Sequence, residues 1–350
     1  MTRDKQALCQ IWLNFLDKGA DQKKHWRENL SAVAKCGDTL FAADDEHPAI
    51  CRLVAKGDGY KHEDTITLAS LGVDLPDGDH GEMDIEGLGV EGNHLWIVGS
   101  HAPAREQPKK KDDDAQALHR LREVRDDPNR HFLGYVTIGE TKGGLVGLGT
   151  GAHLPMRKGE GRLFDLLADD PYLGRFLGIP VKENGFDIEG LAAVGDGRVF
   201  LGLRGPVLRG WAILLELKLR KTGDDGLEPV PIDPGGRLYR RHFFDLDGLG
   251  LSELTHEGKD LLLLAGPTMD LDGPVHIYRW RDALSVGDDS LVRADKIGAP
   301  ILRVPYGSGN DHAEGMTLLN EDRLLVIYDS PDDKKRFRGE TEVLADVFRL

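Results

Sequence analysis

Residues 84–88 and 187–191 both read Asp-Ile-Glu-Gly-Leu, and residues 311–316 carry the variant Asp-His-Ala-Glu-Gly-Met. Each copy therefore brings an Asp and a Glu to the start of an apolar run. Carboxylates repeated at one level of a symmetric scaffold raise one another's pKa unless a cation sits between them. Calcium suits such a set, because it takes 6–8 oxygen ligands in irregular geometry, whereas magnesium demands an octahedron and keeps its waters. No cysteine occupies these positions, which argues against a transition metal. The expected metal set is Glu86, Glu189, Glu314, Asp84, Asp187 and Asp311, with Ca2+ as the ion. The competing role is structural: an acid at a strand start accepts backbone N–H groups from its neighbour. That reading is preferred for Asp84 and Asp187, and both readings stand open for the three glutamates.

The loops after the second strand of each copy carry polar residues that do not repeat: Asp44, Asp45, Glu46 and His47; Ser100, His101 and Arg105; Arg204; Thr268 and Asp270; Asp329 and Ser330. Irregular loops on a repeated scaffold are where binding groups collect. The expected ligand-binding residues are Arg204, Arg105, Ser100, Asp44, Asp45 and Asp329. Arg204 presents a fork of donors suited to carboxylate or phosphate, or else neutralises the repeated acids. His101 and His312 titrate nearest neutrality and, with Arg204, form the candidate catalytic set. Neither histidine has a nucleophile in a recognised motif, since Gly-Ser-His is no Gly-x-Ser-x-Gly elbow, and a plain polar loop histidine is the simpler reading. The run Gly143–Gly151 lacks the Lys-Ser/Thr of a phosphate loop and is read as an irregular loop.

The elements that must position these residues follow from the repeat. Hairpins with a Gly, Asp or Asn turn begin near Leu30, Ile85, Ile188, Leu251 and Ala313, about 60 residues apart except for one longer interval, which is the spacing of propeller blades. The fourth copy shifts its acid by one place, to Glu253. Further strands are expected at Ile50–Ala55, Trp211–Leu219 and Val275–Trp280, followed by Thr65–Leu71, Leu238–Phe244 and Ile301–Val304. Four strands per repeat make an all-β chain, a single β-propeller over residues 1–350, with five blades preferred over six. A sixth would have to lie around His131–Gly149. The last copy lacks one strand, and residues 8–16 complete it from the N-terminus, a short amphipathic helix being the alternative for that stretch. Residues 101–178 are read as an insertion in the second blade, with helices at Ala115–Val124 and Asp165–Phe176.

Composition bounds the function. The chain holds 44 Gly among 350 residues, against an average near ~7%, as many tight turns require. With 40% hydrophobic residues it can bury a core. A net charge of −15 argues against nucleic acid or an anionic membrane surface as partner. Cys9, Cys36 and Cys51 have no metal-ligand spacing and are read as reduced. The stretch Met1–Asp21 lacks the apolar core of a signal peptide, which makes the cytoplasm the expected compartment.

The Asp-Ile-Glu-Gly-Leu repeats, Leu-Arg-Gly-Pro at 203–206 and Asn-Asp-His-Ala-Glu-Gly-Met at 310–316 resemble a bacterial family called domain of unknown function 3616. The resemblance runs from about Leu30 to the C-terminus. That family looks related to esterase-like phytase propellers, for which the resemblance implies calcium-assisted phosphoester hydrolysis. Only Asp84, Glu86, Asp187, Glu189 and Glu314 map onto the shared motif, and Ser31 and Ser252 stand in its Glu position in the first and fourth copies. The expectation is a propeller that recognises a small anionic ligand or a protein through its loop face, with a divalent cation at the channel mouth. The alternative is a calcium-dependent phosphoester or ester hydrolase.

Overall fold

The structure is a computed structural model that describes residues 7–15, 26–140, 146–269 and 271–350. Asp270 and the ends of two expected segments, Leu16 and residues 143–145, lie outside the described residues. The fold is all-β and of propeller type, with four short α-helices among the described residues, Asp114–Arg122, Leu163–Leu167, Ala294–Ile297 and Asp333–Arg336.

The strands form four-stranded antiparallel units. The first is Leu30–Cys36, Thr39–Asp44, Ala49–Lys56 and Gly59–Thr67; the second is Ile85–Glu91, His94–Gly99, Leu133–Glu140 and Val146–His153. The third is Asp187–Ala193, Arg198–Leu208, Trp211–Thr222 and Tyr239–Asp245, and the fourth is Gly250–Glu257, Asp260–Gly266, Val275–Trp280 and Leu302–Val304. The fifth, His312–Asn320, Arg323–Asp329 and Glu342–Arg349, takes its outer strand from the other end of the chain: Cys9–Asn14 pairs antiparallel with Glu342–Arg349. The innermost strands touch in the cyclic order first, second, third, fourth, fifth and back to first.

Alternation explains why the middle strands read as unbroken apolar runs. In Asp260–Gly266, Leu261 and Leu263 pack toward the third unit while Leu262 and Leu264 pack toward the fifth. The middle of each sheet is covered on both faces, so both alternating sets of residues are buried there. Five apolar clusters result, one between each pair of neighbouring units. Burying one such leucine contributes ~1.5–3 kcal/mol relative to leaving it exposed.

Several expectations are corrected. The strand expected at Thr65–Leu71 runs over Gly59–Thr67 instead: Gly57, at φ 59°, makes a tight turn that starts it early, at Gly59, and Ala69–Leu71 beyond its end is a 3-10 turn. The sixth hairpin looked for at His131–Gly149 is the outer half of the second unit, since Leu133–Glu140 pairs with His94–Gly99 and Val146–His153 pairs with Leu133–Glu140. Most of the supposed loop Gly143–Gly151 is thus strand, and its glycines let it pass close to the neighbour: a Cβ on Gly151 would overlap the Tyr135 carbonyl. The expected helix Asp165–Phe176 is the short helix Leu163–Leu167 followed by a 3-10 turn, Gly174–Phe176. Helix Asp114–Arg122 begins at a capping box in which Asp113 accepts from the Gln116 N–H at 2.8 Å and Gln116 accepts from the Asp113 N–H at 3.0 Å.

Candidate functional site: an acidic cavity over the axial ring

Every innermost strand carries a β-bulge at the same place. The pairing jumps from Leu30 to Ala32, Ile85 to Gly87, Ile188 to Gly190, Leu251 to Glu253 and Ala313 to Gly315. The residues left unpaired are Ser31, Glu86, Glu189, Ser252 and Glu314. A bulged residue escapes the strict alternation of the strand and its side chain is re-aimed, here at one end of the channel. The glycine after each glutamate answers to packing. A Cβ on Gly190 would lie 2.9 Å from the backbone of Glu253, and one on Gly87 would lie 2.7 Å from the Leu191 Cβ. Glu-Gly is therefore one device: the glutamate bulges toward the axis, and the glycine lets the next strand close in.

A cavity of about 700 Å³ opens above this ring. Glu86, Glu189, Glu314 and Ser252 form its floor together with Asp84, Asp45 and Asp329, and Arg204, Arg130, Arg105 and Lys182 are its cations. Arg204 Nη1 donates to Glu189 Oε1 at 2.5 Å and lies 3.9 Å from Glu314 Oε1, while Nε and Nη2 donate to the Pro267 and Met269 carbonyls at 3.2 Å each. Arg130 donates to Asp84, lies 3.4 Å from Glu82 and donates through Nε to Ser100 Oγ at 3.2 Å. Arg105 is spent on Glu183 and on the Leu121 carbonyl. Carboxylates outnumber these cations, and among the described residues several have no partner to hold them ionised. Burial raises the Glu86 carboxyl well above the usual range, helped by Asp84, Glu189 and Glu314. Burial likewise raises Glu314, with Asp329 and Glu189 adding to it. Asp45 is pushed up to about 8 by burial and then by Asp84 and Asp329. Glu189 is also raised by burial, against the pull of Arg204, and its Oε2 is buried with no hydrogen-bond partner among the described residues.

The expected site residues divide. Glu86, Glu189, Glu314, Asp84, Asp45, Asp329, Arg204, Arg105 and His312 line the cavity. Asp44, Ser100, His101, Asp187 and Asp311 do not. Asp44 closes its own loop, accepting from the His47 N–H at 2.9 Å and pairing with the His47 ring at 2.7 Å. Ser100 Oγ supports Arg130 and the Ala102 N–H. His101 is wholly buried, its Nδ1 on the Gly99 carbonyl at 2.9 Å, and burial with His131 nearby lowers it to about 3, so it cannot exchange protons with a ligand near neutral pH. Asp187 is buried below the floor and raised well above the usual range by burial and Glu189. Asp311 accepts from Arg336 Nε at 2.6 Å and from the Asp332 N–H at 2.9 Å. Asp84 and Asp311 hold φ of 54° and 55°, a conformation Asp tolerates better than most residues. His312 Nε2 sits 3.3 Å from Asp272 Oδ1, and Asp272 also accepts from the Gly309 N–H at 3.0 Å.

Sequence reasoning missed Arg130, Glu82, Asp272 and the role of Glu253. Glu253 occupies the position that is glycine in the three Glu-Gly copies and staples two units: its Oε1 accepts from the Leu254 N–H at 2.7 Å and from the Leu191 N–H at 3.2 Å. Arg130 left one legible sign, an arginine three residues ahead of the apolar strand Leu133–Glu140. The oxygen donors suit a hard cation in kind, and Glu189 Oε2 is available. In spacing they do not fit one: among the described residues no three His, Cys, Asp or Glu side chains stand together as a metal-holding group.

A family model described as a protein of unknown function (DUF3616) matches residues 29–346. No curated protein sequence matches the chain. Solved structures similar to it include the glutaminyl cyclase of Myxococcus xanthus, 8% identical over 99% of this chain and 97% of that one with a TM-score of 0.40. The arabinanase of Bacillus subtilis is 15% identical over 93% and 96% at 0.40, and the PQQ-bound aldose sugar dehydrogenase of Streptomyces coelicolor is 11% identical over 99% and 100% at 0.40. At these values the likeness carries no information on activity.

Proposed function

Starting from a chain that belongs to the DUF3616 family, we propose a five-bladed β-propeller that recognises a positively charged ligand in the acidic cavity at one mouth of its channel, without covalent chemistry. The five four-stranded units are its blades, the whole chain is one domain, and residues 101–178 combine the outer two strands of the second blade with the loops and short helices that decorate it. The observation that carries the reading is Glu189, buried at the bulge with one oxygen on Arg204 and the other unpartnered. An unsatisfied buried carboxylate oxygen is costly until a donor or cation reaches it. Anion binding draws less support, because Arg204 and Arg105 are already committed to carboxylates.

The test is a calorimetric titration at pH 8 with Ca2+, methylguanidinium and inorganic phosphate in separate runs, on the wild-type protein and Glu189→Gln. Binding of a cation, weakened at least about tenfold by the substitution, supports the reading; binding of phosphate alone overturns it. Calcium is included because the donors are of its kind.

One observation favours hydrolysis as a second reading: His312 lies in the cavity with Asp272 beside its Nε2, as a general base and its orienting carboxylate would. Phosphomonoester and carboxyl-ester turnover that disappears in His312→Ala would support it, and turnover equal in both proteins would remove it.

A further inference from the structure

The floor of the cavity is acidic, whereas around its opening exposed apolar side chains stand among the charged ones. Leu121 from the insertion helix, Met269 and Leu271 from the loop after Asp260–Gly266, and Tyr306 all line the cavity, yet their exposures are 46%, 38%, 60% and 50%. Single exposed apolar residues need no explanation, but several converging on one opening do. A bare metal ion would have no use for such a rim. Nor does it need the space, since about 700 Å³ is the size of a small-molecule site, and the carboxylates below do not stand as a metal-holding group.

Resting on the cation-recognition reading, we propose that the ligand is an amphipathic organic monocation: an ammonium or guanidinium head on an apolar stem. The head lies on the floor against Glu189 Oε2 and Glu86, taking the positive charge these carboxyls lack. The stem leaves through the rim between Leu121, Leu271 and Tyr306, where burial of its methylenes adds affinity and the half-exposed Tyr306 adds an aromatic side chain to the path of the cation. Such a group occurs on free alkylamines and on the lysine or arginine side chains of a peptide, and both carry the same chemistry.

Titration calorimetry at pH 8 separates the terms. Hexylammonium is expected to bind at least about tenfold more tightly than methylammonium, from the added stem, and 1-hexanol, with no charge, is expected not to bind. Leu121→Ser and Leu271→Ser should remove most of the preference for the longer amine while leaving methylammonium unchanged; both positions are exposed, so folding is not at stake. Glu189→Gln should weaken both amines, and His256→Ala, at the far end of the channel, neither. A blocked Leu-Lys-Phe tripeptide that outcompetes hexylammonium points to a protein source, and one that does not compete points to a free amine. Equal affinity for methylammonium and hexylammonium, or binding of Ca2+ but no amine, overturns the organic-cation proposal and leaves cation recognition standing. Binding of no cation at all removes both.

Discussion

The five innermost strands end in two very different openings. At one end lies the cavity of about 700 Å³ with its acids and four permanent cations. At the other a smaller one, of about 190 Å³, is lined by Leu88, Leu191, Leu254 and Met316, with Lys35 and His256 at hand. These apolar residues stand two places after the bulged Glu86, Glu189, Ser252 and Glu314. The bulge thus separates a mouth crowded with carboxylates from a smaller one, built on the same strands, in which leucines and a methionine stand beside Lys35 and His256. The difference shows that the bulge, rather than the propeller itself, confers chemistry: beyond it alternation resumes and the side chains return to packing.

The sharpest way to break this contrast is to remove a cation from the acidic mouth. Arg130 is 3% exposed and faces Asp84 and Glu82. Arg130→Met strands Asp84 as a buried charge, and losing one partner of such a pair costs ~3–5 kcal/mol. Urea denaturation should show a loss of that size; a loss below ~1 kcal/mol would mean that water already reaches Asp84 and that this mouth is no drier than the surface.

The acidic mouth was half legible in the sequence, for a physical reason. Glu86-Gly87 and Glu189-Gly190 stand out because bulge and close approach are local demands that recur with each unit. Arg130, Arg336 and Asp272 satisfy charges across loops that share no pattern, so only the folded chain brings them to Asp84, Asp311 and His312. Glu253 misled by one place because it fills the small-residue position, packed over Gly190, rather than the bulge. The two serines at the bulge, Ser31 and Ser252, also break the sense of a full acidic ring. His101 looked accessible because it follows a strand end, and is buried because the insertion supplies Phe164 and His131 to cover it. The propeller arrangement itself was legible from the hairpin repeat, whereas the outer strands of the first and second units were displaced by glycines that mark close strand passage instead of loops.

Proton linkage gives the next largest effect. The Asp45 carboxyl rises from 3.8 to about 8 on folding, so the folded state holds a proton that the unfolded chain has released. Its contribution is present in full below about pH 4 and is lost as pH rises toward 8. The melting temperature of the free protein should fall across that window, and a cation added at pH 8 should restore it. Asp45→Asn should flatten the slope between pH 6 and 8; an unchanged slope would move the responsibility to Glu86 and Glu314. A cation competing with Arg204 gives a related effect: Arg204→Met frees Glu189 Oε1, and cation affinity at pH 8 should rise about tenfold, equivalent to ~1.4 kcal/mol. A fall in affinity would mean that Arg204 orients the site rather than competing with the ligand.

The smallest effect belongs to a serine at the same bulge. Ser31 Oγ lies 2.5 Å from the Ile85 carbonyl and 3.3 Å from the Ala43 carbonyl, so its proton joins the first unit to the second, and Ser31 does not line the cavity. Ser31→Ala removes one neutral hydrogen bond, a loss of about 1 kcal/mol, and should leave amine and calcium titrations where they were. A bulge that turns a hydroxyl toward the neighbouring backbone ties the ring together, while one that presents a glutamate opens it to a ligand. If Ser31→Ala changed the titrations as much as Glu189→Gln, the bulges would act together on the shape of the ring, and the division between the stapling Ser31 and the binding glutamates would fail.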